Sequence, residues 1–266
     1  MKDAADEAKK MRQTITGENN FYSTLPELRG PDIIVGGPPR TASTWLRGVL
    51  GKHPNVTVAK NEINSLHSIE CGDLVSTLTI YSNQNTWKNT KSPPQLYCDK
   101  SPSYASMSEN NIMMIHALFP NTKIILCKRN ESDRLWSAIH HRMRQVNFIG
   151  NWIEFCTSDP YFIKTQLIDG HIDSHIVRWT SIFSNNNIII IEYNDICNSP
   201  ISSVNFVLNR LDIASIDELP KSQQTGILRR TQEQEVKKTP HDRPLNFIDV
   251  VHSIVESIKH PTPTPH

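Results

Sequence analysis

The stretch from Asp32 to Leu50 carries the first residues whose types and spacing could do chemistry. An apolar run, Ile33-Ile34-Val35, ends in Gly36-Gly37. Pro38-Pro39-Arg40-Thr41-Ala42-Ser43-Thr44 follows, and then Trp45, Leu46, Val49 and Leu50 at helical spacing. That order spells strand, tight loop, helix. Small and hydroxyl residues at a helix start, behind one arginine, suit an anion. The first backbone N–H groups of a helix have no partner within it, and the dipole there is positive. The plainer alternative is a helix start capped by Ser43 or Thr44 for stability alone. The loop is not a Walker A sequence, because Thr41-Ala42 stand where its Gly-Lys pair would be, and it is not a GxGxxG fingerprint. Generic kinase and dehydrogenase chemistry is therefore disfavoured.

Other elements must hold that loop in place. Helix one is expected from Ser43 to Lys52, ending before His53-Pro54, and Val56-Thr57-Val58 reads as a second short strand. Residues 65–97 are rich in Ser, Thr, Asn and Pro. They read as an irregular insertion with a helix near Asp73–Tyr81, either a substrate lid or a plain surface excursion. Ser108 looks like the cap of a helix ending at Phe119-Pro120. Lys123 to Cys127 is a buried-strand pattern running into Lys128-Arg129, and a helix with Leu135, Trp136, Ile139 and Met143 on one face follows. A helical region is expected from Trp152 to Phe183, broken near Asp169-Gly170. Ile188 to Tyr193 is the most strand-like run and predicts a central parallel strand covered on both faces. Helices at Pro200–Leu211 and Asn246–Ile258 close the pattern. Alternating strands and helices predict an α/β fold, a mainly parallel sheet flanked by helices. Ligands of such folds sit at the carboxyl ends of strands, where both the first loop and Arg129 fall. The chain divides into a polar arm over 1–30, one domain over 31–260 and a tail over 261–266.

Composition narrows the classes. With 266 residues the chain can bury a core without staples. A net charge of +1 argues against a general nucleic-acid coat. Five scattered cysteines, with no CxxC, argue against a zinc site and a disulfide framework and favour a reducing compartment. The sequons at Asn55 and Asn130 fall in the expected fold and read as chance. No signal peptide is visible and no apolar run approaches the roughly 20 residues a membrane span needs, so a cytoplasmic protein is expected.

The segment Arg40-Thr41-Ala42-Ser43-Thr44-Trp45 resembles the 5′-phosphosulfate loop of sulfotransferases that use 3′-phosphoadenosine 5′-phosphosulfate (PAPS). Arginine stands where many members have lysine, and Ala42 replaces the usual glycine. Arg129 at the end of a strand, with Ser137 eight residues on, resembles the family's 3′-phosphate pair. A guanidinium gives bidentate charge-assisted bonds to phosphate and a hydroxyl completes them. The order His53-Pro54-Asn55-Val56, Asn61-Glu62, Asp99-Lys100-Ser101-Pro102-Ser103-Tyr104 and Arg129 to Ser137 is similar to heparan sulfate sulfotransferases, especially the 3-O-sulfating type. Glu192-Tyr193-Asn194-Asp195 with Pro200 also resembles a family segment. The resemblance implies a P-loop-like sulfotransferase fold, Glu62 as catalytic base, and Lys100 and Arg40 as cations at the reaction centre. It implies that Thr41, Ala42, Ser43, Thr44, Trp45, Arg129 and Ser137 hold PAPS, with PAP (3′-phosphoadenosine 5′-phosphate) as product and no metal required. Trp45 is read either as a stack for the adenine or as core. Asp99 stands where the family has glutamate, and Asn64-Ser65 replace its aromatic pair.

Each residue also has a plainer reading. Arg129 alone suits a surface ion pair, Ser137 alone a solvent-facing serine. Arg229, Arg230, Lys237 and Lys238 are candidates for a basic donor loop or for a solvated face. His67, His116, His140 and His141 match no histidine-base motif, and His140 and His141 are the best placed to line a site. The expected function is sulfuryl transfer from PAPS to a hydroxyl, or less favourably an amine, of a small-molecule acceptor, without nucleic-acid or membrane partners. A nucleotide or adenylyl-sulfate kinase, a non-catalytic nucleotide-binding protein and a glycan acceptor are the alternatives.

Overall fold

A computed structural model describes residues 30–69, 74–83, 86–87, 96–224 and 243–259. Residues 1–29 of the expected arm, the basic candidates Arg229, Arg230, Lys237 and Lys238, and the tail lie outside the described residues. The core is a five-stranded sheet in the order β2-β3-β1-β4-β5, all neighbours parallel. Its strands are β1 (Ile33–Gly36), β2 (Val56–Val58), β3 (Leu96–Lys100), β4 (Lys123–Lys128) and β5 (Ile188–Glu192). β1 is central because its residues can be buried on both faces. Ile33 and Val35 join one apolar cluster and Ile34 the other, the period-two alternation of a strand.

Helix α1 (Ser43–Leu50) turns Trp45, Leu46, Val49 and Leu50 into the first cluster. Helix α2 (Leu74–Ser82) and α3 (Glu109–Leu118) belong to the opposite face, and the Ser108 hydroxyl caps α3 by accepting from Asn111 N–H. Helix α4 (Glu131–Gln145) follows β4. The stretch expected as two helical pieces is three: α5 (Trp152–Ser158), α6 (Pro160–Gly170) and α7 (Ile172–Thr180). The additional break sits at Asp159-Pro160. Proline occupies the first turn of α6 and Asp159 caps Phe162 N–H, so the chain restarts there rather than bending. Helices α8 (Tyr193–Asn198), α9 (Pro200–Arg210), α10 (Lys221–Gln224) and α11 (Phe247–Lys259) complete the described chain. Helices α4, α5, α6 and α11 share a third cluster beside the sheet, built on Leu135, Phe155, Ile163 and Phe247.

Two further expectations shift, and one strand was not expected. β5 is an edge strand rather than a central one, and Ile190 is 39 % exposed. Its all-isoleucine run signals β-propensity without specifying its place in the sheet. α1 ends at Leu50, two residues earlier than expected, with Gly51 as its cap. β3 carries no strong strand signal, because Asp99 and Lys100 interrupt the apolar pattern where the sheet presents functional groups. Within 65–97, Leu66, Ile69, Tyr81 and Trp87 are buried against the sheet, so these described parts pack as core.

Candidate active site

The loop after β1 is folded by backbone conformations that side chains rarely adopt. Gly37 has φ 144°, and a Cβ there would meet the Cys127 carbonyl oxygen at 2.8 Å, so glycine is required. Arg40 and Ala42 follow with φ 75° and 70°. Holding two non-glycine residues there costs free energy and marks the loop as shaped for a purpose. Thr41, wholly buried, ties the turn down by donating its hydroxyl to Pro38 O at 2.8 Å. Ala42 is the residue before α1, and no side chain caps the helix start. The stabilising caps expected as the plain alternative at Ser43 and Thr44 are therefore not made. The first N–H groups of α1 keep the arrangement an anion needs.

Loop and sheet edge face one cavity of about 490 Å³, whose lining includes Arg40, Ser43, Thr44, Glu62 and Lys100. Lys100 ends β3, and its ammonium is ion-paired with the Glu62 carboxylate. The lysine side chain is 5 % exposed and the glutamate 47 %, so the pair runs from the protein interior to the cavity mouth. Arg47, on α1, donates to the carbonyls of Ala59 and Lys60 and fixes the strand exit that leads to Glu62.

The residue before Lys100 points the other way. Asp99 is wholly buried and accepts from Tyr81 Oη at 2.6 Å and Ser101 Oγ at 2.8 Å. Burial pushes its carboxyl pKa up, while bonds from the Tyr81, Ser101 and Tyr104 hydroxyls and from Ile63 N–H pull it back. Ser101 Oγ in turn accepts from Asn64 N–H at 3.2 Å. Asp99 thus anchors the backbone just after Glu62. The sequence marked Asp99 only as a departure from the family pattern; its alternation with Lys100 along a strand was the available signal.

Arg129 and Ser137 converge on Arg40 rather than on the cavity lining. Arg129 donates to Arg40 O at 3.0 Å, and its guanidinium lies 4.2 Å from the centre of the Tyr193 ring. Arg40 Nε donates to Ser137 Oγ at 3.0 Å across 97 residues of chain. Ser137 is buried on α4, not solvent-facing. Trp45 lies in the core, its ring N–H donating to Gln223 O at 3.2 Å. Of the stack and core readings, its side chain takes the core position. His141 lines the cavity, and burial, with Arg40 and Arg144 nearby, lowers its pKa. His140 packs edge-on against Trp136 instead, and its pKa is lowered to about 4. Asn64, Ser103 and Asp169 also line the cavity and carry no motif that would have singled them out.

Among the described residues, no group of three or more His, Cys, Asp or Glu side chains is arranged to hold a metal, and no helix is long and apolar enough to cross a membrane.

Comparison with known proteins fits this geometry. The family model described as "Sulfotransferase domain" matches residues 30–249. A search of curated proteins returns no match. Among solved structures, a sulfotransferase from Alicyclobacillus acidocaldarius superposes with a TM-score of 0.60 at 15% identity, covering 88% of this chain and 97% of that one. The sulfotransferase domain of the Synechococcus olefin synthase gives 0.50 at 16% identity, covering 90% and 99%. A mouse sulfotransferase complexed with PAP gives 0.47 at 19% identity, covering 83% and 71%. The chain belongs to the sulfotransferase family, enzymes that take a sulfuryl group from PAPS and release PAP.

Proposed function

We propose that this protein transfers the sulfuryl group of PAPS to a hydroxyl of a small-molecule acceptor, with Glu62 as the base. The observation that carries the reading is the single cavity that brings together the uncapped start of α1, Arg40, Lys100 and Glu62. The N–H groups of residues 41–45, with the Ser43 and Thr44 hydroxyls, hold the 5′-phosphate. Arg129, stacked on Tyr193, and Ser137 hold the 3′-phosphate.

In the reaction Glu62 takes the acceptor proton as the acceptor oxygen bonds to sulfur. The bond from sulfur to the bridging oxygen breaks, and its electron pair stays on the 5′-phosphate of PAP. Lys100 has three N–H groups, so it can hold Glu62 with one and turn another to a sulfuryl oxygen. Arg40 meets the charge growing on the bridging oxygen after exchanging Ser137 for the donor. Fixed cations in a water-poor site are worth about 3–4 kcal/mol each, by analogy with oxyanion donors. Positioning and electrostatics supply most of the rate, as in phosphoryl transfer.

The test is a labelled-PAPS assay of the purified protein against a metabolite extract, with mass detection of a sulfated product. Product formed by the wild type and not by Glu62→Gln supports the reading. Label released only as inorganic sulfate, or ATP turned over without PAPS and no sulfated product, overturns it.

A further inference from the structure

The wall of the cavity beyond Glu62 and Lys100 is built from polar side chains that the donor chemistry above does not use. Asn64 has left-handed backbone, φ 55°, at the start of a short 3-10 turn, Ser65–Ser68. Ser103 lies in the turn after β3, Pro102–Ser106. Asp169 lies at the end of α6, which Arg134 of α4 holds in place by bonding the Gln166 side chain at 3.0 Å and its carbonyl. The three are joined into one surface. Ser103 Oγ donates to Asn64 Oδ1 at 2.9 Å and is 3.0 Å from His67 Nε2. Ser106 Oγ shares its proton between Ser103 O at 3.1 Å and Asp169 Oδ1 at 3.2 Å.

Burial lowers the His67 pKa, with Asp169 opposing, which leaves the imidazole neutral at neutral pH. The Ser103 proton is spent on Asn64, so His67 must carry its hydrogen on Nε2 and donate it to Ser103. Ser103 then has one lone pair left. Asn64 has committed its amide oxygen and presents its two N–H donors. Asp169 has committed one carboxylate oxygen and presents the other. Donors and acceptors thus alternate within one cavity, and the remaining cavity-lining apolar residues are Pro39 and Pro102.

A hydroxyl group both donates and accepts, so such a wall is matched by neighbouring hydroxyls. A planar aromatic phenol would meet apolar surface only at Pro39, Pro102 and side-chain stems, and would leave these polar groups without partners. Sites built to hydrogen-bond reject analogues lacking the matching groups far more strongly than apolar pockets reject by size.

We propose that Asn64, Ser103 and Asp169 form the acceptor-recognition surface, and that it selects a small polyhydroxylated acceptor over aromatic or steroidal alcohols. This rests on the sulfotransfer reading above. Glu62 is two residues before Asn64 and Lys100 three before Ser103, so one bound polyol meets both the recognition wall and the proton acceptor.

The experiment uses the full chain saturated with PAP, with methyl glucoside, myo-inositol and 2-naphthol as probes in ligand-observed saturation-transfer NMR. PAP binding is first verified by calorimetry; a chain that does not bind PAP refutes the donor reading, independently of the acceptor class. With PAP bound, saturation of at least one polyol, reduced about tenfold or more by both Asn64→Leu and Asp169→Leu with PAP affinity retained, supports the proposal. Saturation confined to 2-naphthol, no saturation of any probe, or polyol contact indifferent to both substitutions overturns it. Ser103→Ala, which removes one hydroxyl with little change of volume, checks the same loss in a variant that disturbs packing least.

Discussion

Lys100 and Glu62 are ion-paired from opposite environments, the lysine buried at the end of a strand and the glutamate half in the cavity. The pair fixes the carboxylate beside the ammonium that β3 delivers to the cavity, and it can reopen because one partner is solvated. If Glu62 takes the acceptor proton, Glu62→Gln keeps the shape and loses the chemistry. Turnover is expected to fall by about 10²–10⁴-fold. The Kd for PAP, measured by calorimetry, is expected to stay at the wild-type value, since the proposed role puts Glu62 on the acceptor side. Lost PAP binding with retained turnover would reverse the assignment.

Arg129 tests the donor side. It bonds Arg40 O and stacks on Tyr193, so it is pre-oriented before a phosphate arrives. Hydrogen bonds to charged groups are worth about 1.5–3 kcal/mol. Arg129→Ala is therefore expected to weaken PAP by about ten- to a hundredfold. Arg129→Lys recovers only part of that, because an ammonium offers neither the fork nor the flat face. Calorimetry of both variants decides, and equal affinity for wild type and Arg129→Ala would refute the site.

Much of this was legible in the chain because strand, loop and helix punctuate it clearly. Ile33 to Leu50 reads as β1, loop and α1 from apolar spacing alone, and the expected strands at Val56 and Lys123 and the cap at Ser108 are present. What failed to show depends on contacts distant in sequence. β3 hides because Asp99 and Lys100 replace apolar residues at the point where the sheet becomes a site. β5 looks central because isoleucine content reports propensity, whereas strand order is decided by crossovers. Asn64, Ser103 and Asp169 are brought together by three separate elements, and no local pattern encodes that meeting.

Ala42 offers a stability test. Its φ of 70° is open to glycine and costs a residue with a Cβ about 1–2 kcal/mol, set against the roughly 0.5–1 kcal/mol that a flexible glycine loses on folding. Ala42→Gly is expected to stabilise by about 0.5–1 kcal/mol, raising Tm by about 1–4 °C. Ala42→Val, with a branched side chain at the same φ, is expected to lower it. Thermal unfolding of the three proteins checks the order, and a Tm for Ala42→Gly below wild type would show that the loop does not carry this strain.

Tyr81 and Asp99 give a prediction that depends on pH. Burial raises the Asp99 pKa in the folded protein, and the Tyr81 hydroxyl, 2.6 Å away, is one of the groups that hold the rise in check. A carboxyl raised on folding binds its proton more tightly folded than unfolded, so the stability it confers is complete below the unfolded pKa and falls as pH rises through the folded one. Tyr81→Phe removes a donor to the carboxylate and lets the folded pKa climb further. The variant is then expected to lose up to about 1.5–3 kcal/mol, and the loss is expected to be larger at pH 8 than at pH 5, because protonation of the raised carboxyl relieves it as pH falls. Urea unfolding of both proteins at the two pH values measures the difference. A loss equal at both would mean that Tyr81 serves as packing alone, and a larger loss at the lower pH would refute the assignment of a buried carboxylate to Asp99. Because the same carboxylate bonds Ile63 N–H, the variant should also lower turnover more than it weakens PAP, coupling a core tyrosine to the placement of Glu62.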